Sequence, residues 1–165
     1  MRLLAELGAS AWLVRHHELV VEAAELLCDR VAAVDVSFDR ELVLAGAALH
    51  DAGKIVVPEE MREAGHRHEA EGERLLTERG VAPGVARFCV THAAWDADDL
   101  RLEDLLVALA DKLWKGARVE ALERRIAARI EAGSGLPSWK VFDELDRICE
   151  AIARGGPERL VRSDV

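Results

Sequence analysis

Ala47-Ala48-Leu49-His50-Asp51-Ala52-Gly53-Lys54 joins an apolar segment to a histidine–aspartate pair. The residues leading into it, Leu42 to Leu49, are apolar nearly all round. That pattern predicts a covered helix ending near His50-Asp51, with Ser37 or Asp39 as its N-cap. Gly53 and Pro58 then mark a loop. A helix C-terminus mildly favours a cation-capable histidine, but Asp51 at the same end opposes the helix dipole, so a purely structural role fits the pair poorly.

Other ionisable residues also sit in apolar surroundings. Ala11 to Val31 reads as an amphipathic helix, with Arg15, Glu18, Glu22, Glu25 and Asp29 on one side and Leu13, Val20, Ala24, Leu27 and Val31 on the other. Both His16 and His17 are candidates there; His16 lies nearer the centre of the apolar stripe and is favoured, while His17 leans to its edge. A helix from about His66 to Arg79 stops at Gly80. His66 and His68 cannot share a face, and His68 is the one that aligns with Gly72, Leu75 and Leu76. Pro83 opens a helix carrying Val85, Phe88, Cys89 and His92 on one stripe. Asp98 or Asp99 caps a long helix from about Leu100, whose segment Leu105 to Ala110 is apolar on every side and leads directly to Asp111. Imidazoles and carboxylates are costly to bury alone, but several on different core helices satisfy one another by sharing a metal. Nitrogen and oxygen donors together suit Zn, Fe, Mn or Co.

The ordered series His16 (or His17), His50-Asp51, His68, His92 and Asp111 resembles the H…HD…H…H…D pattern of the HD-domain superfamily of metal-dependent phosphohydrolases. Ala47 to Lys54 is similar to the core signature of that family, His68-Glu69-Ala70-Glu71-Gly72 to its H-x-x-x-G step, and Ala110-Asp111-Lys112 to its final aspartate. The resemblance spans about residues 16–118 and implies two divalent transition metal ions. His16, His50, Asp51 and Asp111 would hold one, His68 and His92 would complete a second site, and Asp51 would bridge them. It also implies that Lys54 contacts substrate phosphate. Lys112, Lys115 and Arg118 are the other nearby basic residues; Lys115 and Arg118 are candidates for substrate binding, since a guanidinium grips phosphate bidentately. The expected chemistry is hydrolysis of a phosphoester or phosphoanhydride by metal-activated water, with Asp51 and Lys54 as catalytic residues and a nucleotide as first substrate class. The same ligand set occurs in HD-type mixed-valent diiron oxygenases, which spacing does not separate from hydrolases. A non-catalytic HD-fold binding module is a third class.

Composition frames this reading. The 165 residues, 18.1 kDa, suit one domain, with an aromatic content of only 4% and no Tyr. Ala, Leu, Val, Glu and Arg dominate and alternating patterns are missing, so an all-α, HD-like helical bundle is expected over residues 1–165, its motif-bearing core at about 11–120. After Gly133-Ser134-Gly135 a last amphipathic helix is expected at about Ser138–Arg154. The chain beyond Arg154-Gly155-Gly156-Pro157 is expected to be ordered only by a partner. A formal charge of −9 and pI of about 5.2 argue against long nucleic acid, though not against a small phosphorylated substrate. Cys28, Cys89 and Cys149 form no CxxC pair and read as reduced thiols. An acidic start and the lack of a run of about 20 apolar residues set the expectation of a cytoplasmic protein that binds no membrane. Periodicity does not assign Trp95, Trp114 and Trp139 to core or pocket, and oligomeric state is not legible.

Overall fold

Ser10 accepts the Leu13 N–H on its hydroxyl at 3.2 Å, starting helix α2 (Ala11–Val31). In the computed structural model, which describes residues 1–163, α2 follows a short α1 (Arg2–Glu6) and packs against α3 (Arg40–Leu49) and α7 (Leu102–Leu113). Asp39, rather than Ser37, caps α3 by accepting the Leu42 N–H at 3.0 Å. The remaining helices are α4 (Arg67–Glu78), α5 (Pro83–Ala86), α6 (Phe88–Thr91), α8 (Glu120–Ser134), α9 (Ser138–Arg154) and α10 (Gly156–Ser163). The architecture is all-α, with no strand among the described residues.

Helix α7 is the axis. Leu105 to Ala110 have no exposed surface on any of the six residues. Each fully buried Leu or Val contributes roughly 1.5–3 kcal/mol, so packing rather than helix propensity fixes this segment. Around it, α2, α3, α8 and α9 bury one apolar cluster that includes Leu19, Leu27, Val43, Phe88, Leu122, Ile126 and Ile152. A smaller cluster, Leu4, Leu49, Ala52, Leu76, Ala86 and Cys89, ties α1, α4 and α5 to the end of α3. The histidine–aspartate pair lies where these two clusters meet.

Several expectations need correction. Neither Asp98 nor Asp99 caps α7; Asp104, three residues inside the capping position, accepts the Arg101 N–H at 2.9 Å. The long helix expected from Leu100 ends at Leu113, because the chain turns through Gly116 at φ +82° and resumes as α8. The stripe from Pro83 to His92 is two short helices divided at Arg87. From Gly156 to Ser163 the chain forms α10, which packs on α2 and α9 of the same molecule; the rest of the segment expected to be ordered by a partner lies outside the described residues. Trp114 is buried, Trp95 packs partly buried on the main cluster, and Trp139 is exposed. All three cysteines are free and buried. Among the described residues, no helix is long and apolar enough to cross a membrane.

Candidate metal centre

His50 closes α3, and Asp51 leaves helical geometry at φ −105°, ψ 17° to enter the turn Ala52–Ile55. That departure turns the Asp51 carboxylate into the space between α2, α4, α6 and α7. Its two oxygens face different partners. Oδ2 lies 3.2 Å from His16 Nε2 and 3.6 Å from His50 Nε2. Oδ1 lies 3.2 Å from His68 Nε2 and 3.5 Å from His92 Nε2. Two groups of donor atoms result, His16–His50–Asp51 and Asp51–His68–His92, with Asp51 common to both. Asp111 joins the first group from α7, its Oδ1 being 3.5 Å from His50 Nε2 and 4.0 Å from His16 Nε2. All six residues are buried, none more than 8% exposed.

The ring nitrogens distant from the centre are held so that the near ones present lone pairs. His50 Nδ1 donates to the Ala47 carbonyl at 3.0 Å and His92 Nδ1 to the Phe88 carbonyl at 2.9 Å. His68 Nδ1 donates to Glu60 Oε2 at 2.6 Å, and Glu60 also accepts the His68 N–H at 3.0 Å. With those protons on Nδ1, three Nε2 lone pairs converge on carboxylate oxygens, acceptor against acceptor. Asp51 Oδ1 and His16 Nδ1 are buried without a hydrogen-bond partner. Positive charge, supplied by a second ring proton or by a metal, reconciles such a set, so the residues fit divalent metal binding, and the Glu60–His68 pair is the carboxylate–histidine support that orients a metal ligand.

Charge effects run the same way. Burial works against a charged His50 ring, yet the carboxylates of Asp51 and Asp111 outweigh it and raise its pKa. The hydrogen bond to Asp51 raises His68. Burial raises the Asp51 carboxyl, but His50, His16, His68 and His92 together hold it well below the usual range. Asp111 is likewise held well below that range by His50 and Lys112, against burial. His92, fully enclosed and beside His50, is pushed down to about 4. The two carboxylates thus demand positive charge in a place where water does not supply it.

His17 takes a different task. Its Nδ1 donates to the Leu13 carbonyl at 2.8 Å while its Nε2 accepts the backbone N–H of Asp51 at 3.3 Å, so it pins the chain beneath the carboxylate. His66 is turned outward and pairs with Glu69.

A cleft of about 650 Å³ opens over the centre, with Trp12, Lys54, Glu60, Lys112, Trp114 and Lys115 among its walls. Lys54 Nζ sits 2.6 Å from Asp51 Oδ2, and Lys112 Nζ 2.7 Å from Asp111 Oδ2. Trp12 stacks parallel to His16 at 5.9 Å, and Trp114 meets the same ring edge-on at 5.1 Å. Arg118 is the exception among the sequence candidates. Its guanidinium binds Glu123 at 3.0 Å, Asp146 at 2.7 Å and Glu150 at 3.6 Å beside a separate cavity between α8 and α9. Three carboxylates neutralise it there, and it does not line the cleft. Glu60 and Trp12 escaped the sequence reading, and His17, the alternative first ligand there, proves to be a backbone anchor. Glu60 lies eight residues before its histidine in a turn, where no helical period links the two.

A sequence profile described as HD domain matches residues 13–114 and takes in all six donor residues. No curated protein and no solved structure matches the chain.

Proposed function

The chain belongs to the HD-domain family, and on that premise we propose that it is a phosphohydrolase cleaving a phosphoester or phosphoanhydride of a small phosphorylated substrate, with a nucleotide as the first class to test. The observation that carries this reading is the division of Asp51, one carboxylate oxygen toward His16 and His50, the other toward His68 and His92. One divalent transition metal (Fe, Mn, Zn or Co) would be held by His16, His50, Asp51 and Asp111, and a second by Asp51, His68 and His92. Such a pair acidifies water toward neutrality and offsets charge building on phosphate oxygens.

The protein's own residues do the remainder. Asp51 fixes the spacing of the two groups. His17 anchors its backbone and Glu60 keeps the His68 proton on Nδ1. Lys54 and Lys112 lie against ligand carboxylates, and once metals occupy those oxygens their ammonium groups are free to meet a phosphate. Lys115, exposed at the rim, adds a third cation. Trp12 and Trp114 wall off the His16 side of the cleft from bulk water.

The test is metal content of protein purified without chelators, together with phosphate release from a panel of nucleotides and simple phosphomonoesters. About two equivalents of metal, with release lost in Asp51→Ala, is the expected result. Turnover retained in that variant overturns the mechanism. Bound iron with oxygen uptake and no phosphate release moves the chain to the oxygenase class, and failure to take up any metal leaves a binding module.

A further inference from the structure

Helix α10 carries an arginine, Arg159, that is only 4% exposed. Arg159 Nε donates to the Trp114 carbonyl at 2.7 Å, and its Nη2 donates to the carbonyls of Leu113, at 3.0 Å, and Ile152. The Leu113 and Trp114 carbonyls are at the open end of α7, where helix geometry leaves acceptors unpaired. The turn at Gly116 and Ala117 returns N–H groups to Leu113 and Lys112, but none to Trp114. Arg159 therefore completes the C-terminus of the helix that bears Asp111 and Lys112, and holds the backbone of the tryptophan whose ring abuts His16.

The same short helix reaches α2. Arg162 pairs with Glu22, and Arg15, next in sequence to His16, donates from Nε to the Arg162 carbonyl at 2.9 Å. Its seat is close backbone contact: a Cβ on Gly156 would fall 2.4 Å from the Gly116 nitrogen. One eight-residue helix is thus fastened to α2 and α7, which supply His16 and Asp111 to the first donor group. Among the described residues it has no such hydrogen bond or ion pair to α4 or α6, which bring His68 and His92 to the second.

We propose that α10 is a brace for one half of the metal centre, with Arg159 a positioning residue for Asp111 and His16. The inference rests on the binuclear reading above. It assigns different support to the two metal sites, so that weakening the brace loosens the His16–His50–Asp51–Asp111 site and spares the Asp51–His68–His92 site.

The experiment is a cobalt(II) titration of the metal-stripped full chain and of Arg159→Ala, Arg159→Lys and Gly156→Ala, with helix content followed by circular dichroism. Wild type is expected to bind two equivalents. Arg159→Ala should keep one unaltered and bind the other about 10- to 100-fold more weakly, the range typical of lost support behind a ligand. Adding His92→Ala should remove the surviving equivalent. Arg159→Lys, which still offers donors to the carbonyls, should recover part of the loss. Two equivalents of unchanged affinity in a folded Arg159→Ala overturn the proposal, as does equal weakening of both, which marks a merely structural role. If Arg159→Ala loses helix content, Gly156→Ala decides by the same criterion. Wild type that takes up no cobalt overturns the metal reading and the brace with it, an outcome distinct from a brace that fails in a wild type that loads normally.

Discussion

Gly53 and Gly72 meet backbone to backbone. A Cβ on Gly53 would stand 2.6 Å from the Gly72 nitrogen and 1.8 Å from the His68 carbonyl oxygen; one on Gly72 would stand 2.8 Å from the Gly53 nitrogen. Because neither glycine has a side chain, α4 lies directly on the turn that follows Asp51, which puts His68 Nε2 3.2 Å from Asp51 Oδ1. The glycine four residues after the histidine is therefore part of how the second donor group is assembled.

Gly72→Ala should then cost stability and displace His68 together. The Gly53 backbone at 2.8 Å on one side and the buried Cys89 side chain, its Sγ at 2.9 Å, on the other leave little room to yield, so the loss should be about 1–3 kcal/mol. A fall in the urea midpoint accompanied by weaker uptake of one metal equivalent is the expected result; an unchanged midpoint would mean that the contact relaxes freely.

Glu60→Gln keeps the shape of the side chain but removes the charge that accepts the His68 Nδ1 proton at 2.6 Å. Affinity for one metal should drop about 10- to 100-fold. Helix content and the other equivalent should be unaffected, as read by competition with a chelator.

Trp12 is 37% exposed and lies between the metal cleft and an adjoining cleft of about 740 Å³ formed with Pro58, Glu59 and Met61. If the substrate carries a flat ring, Trp12→Ala should raise KM with little change in kcat, because stacking on an indole is worth about 1–3 kcal/mol. Equal KM values for ring-bearing and ring-free phosphates in wild type would argue against it.

Burial pushes the Cys28 thiol up to about 11 and the Cys89 and Cys149 thiols up to about 12. An unfolded chain releases these protons near pH 9, so between 9 and 12 the folded state binds more protons than the unfolded one. The thiol contribution to stability is complete below pH 9 and is lost as pH rises through 11 and 12. Melting temperature should decline over that window, and a thiol reagent at pH 8 should label the protein only after it is unfolded by denaturant.

Arg118→Ala should leave phosphate release within about twofold of wild type while lowering stability by about 1 kcal/mol, since it strips the partner from Glu123, a mostly buried carboxylate. A large loss of turnover would return Arg118 to the substrate site.

Much of this was legible in the chain. Helical period placed α2 between Ala11 and Val31 and α9 between Ser138 and Arg154, because a face that must be buried recurs every 3.6 residues and leaves a mark in the order of residues. The same logic singled out His50, Asp51 and Asp111, whose polarity conflicts with the apolar segments that carry them. It also ranked His16 above His17 as the ring pointing to the centre, although both prove buried and only their hydrogen bonds separate a donor from a backbone anchor. What period does not encode is the meeting of elements far apart in sequence. Glu60 beneath His68, Arg118 among three carboxylates, Arg159 at the end of α7 and the two-sided placement of Asp51 each depend on how helices pack against one another. Residue order marks the main amphipathic helices and the ionisable residues that must find partners inside them, but not α10 or the break at Arg87. Which partners they find emerges in the packed bundle, because pairing between helices is set by packing angle and side-chain reach, neither of which is periodic along the chain.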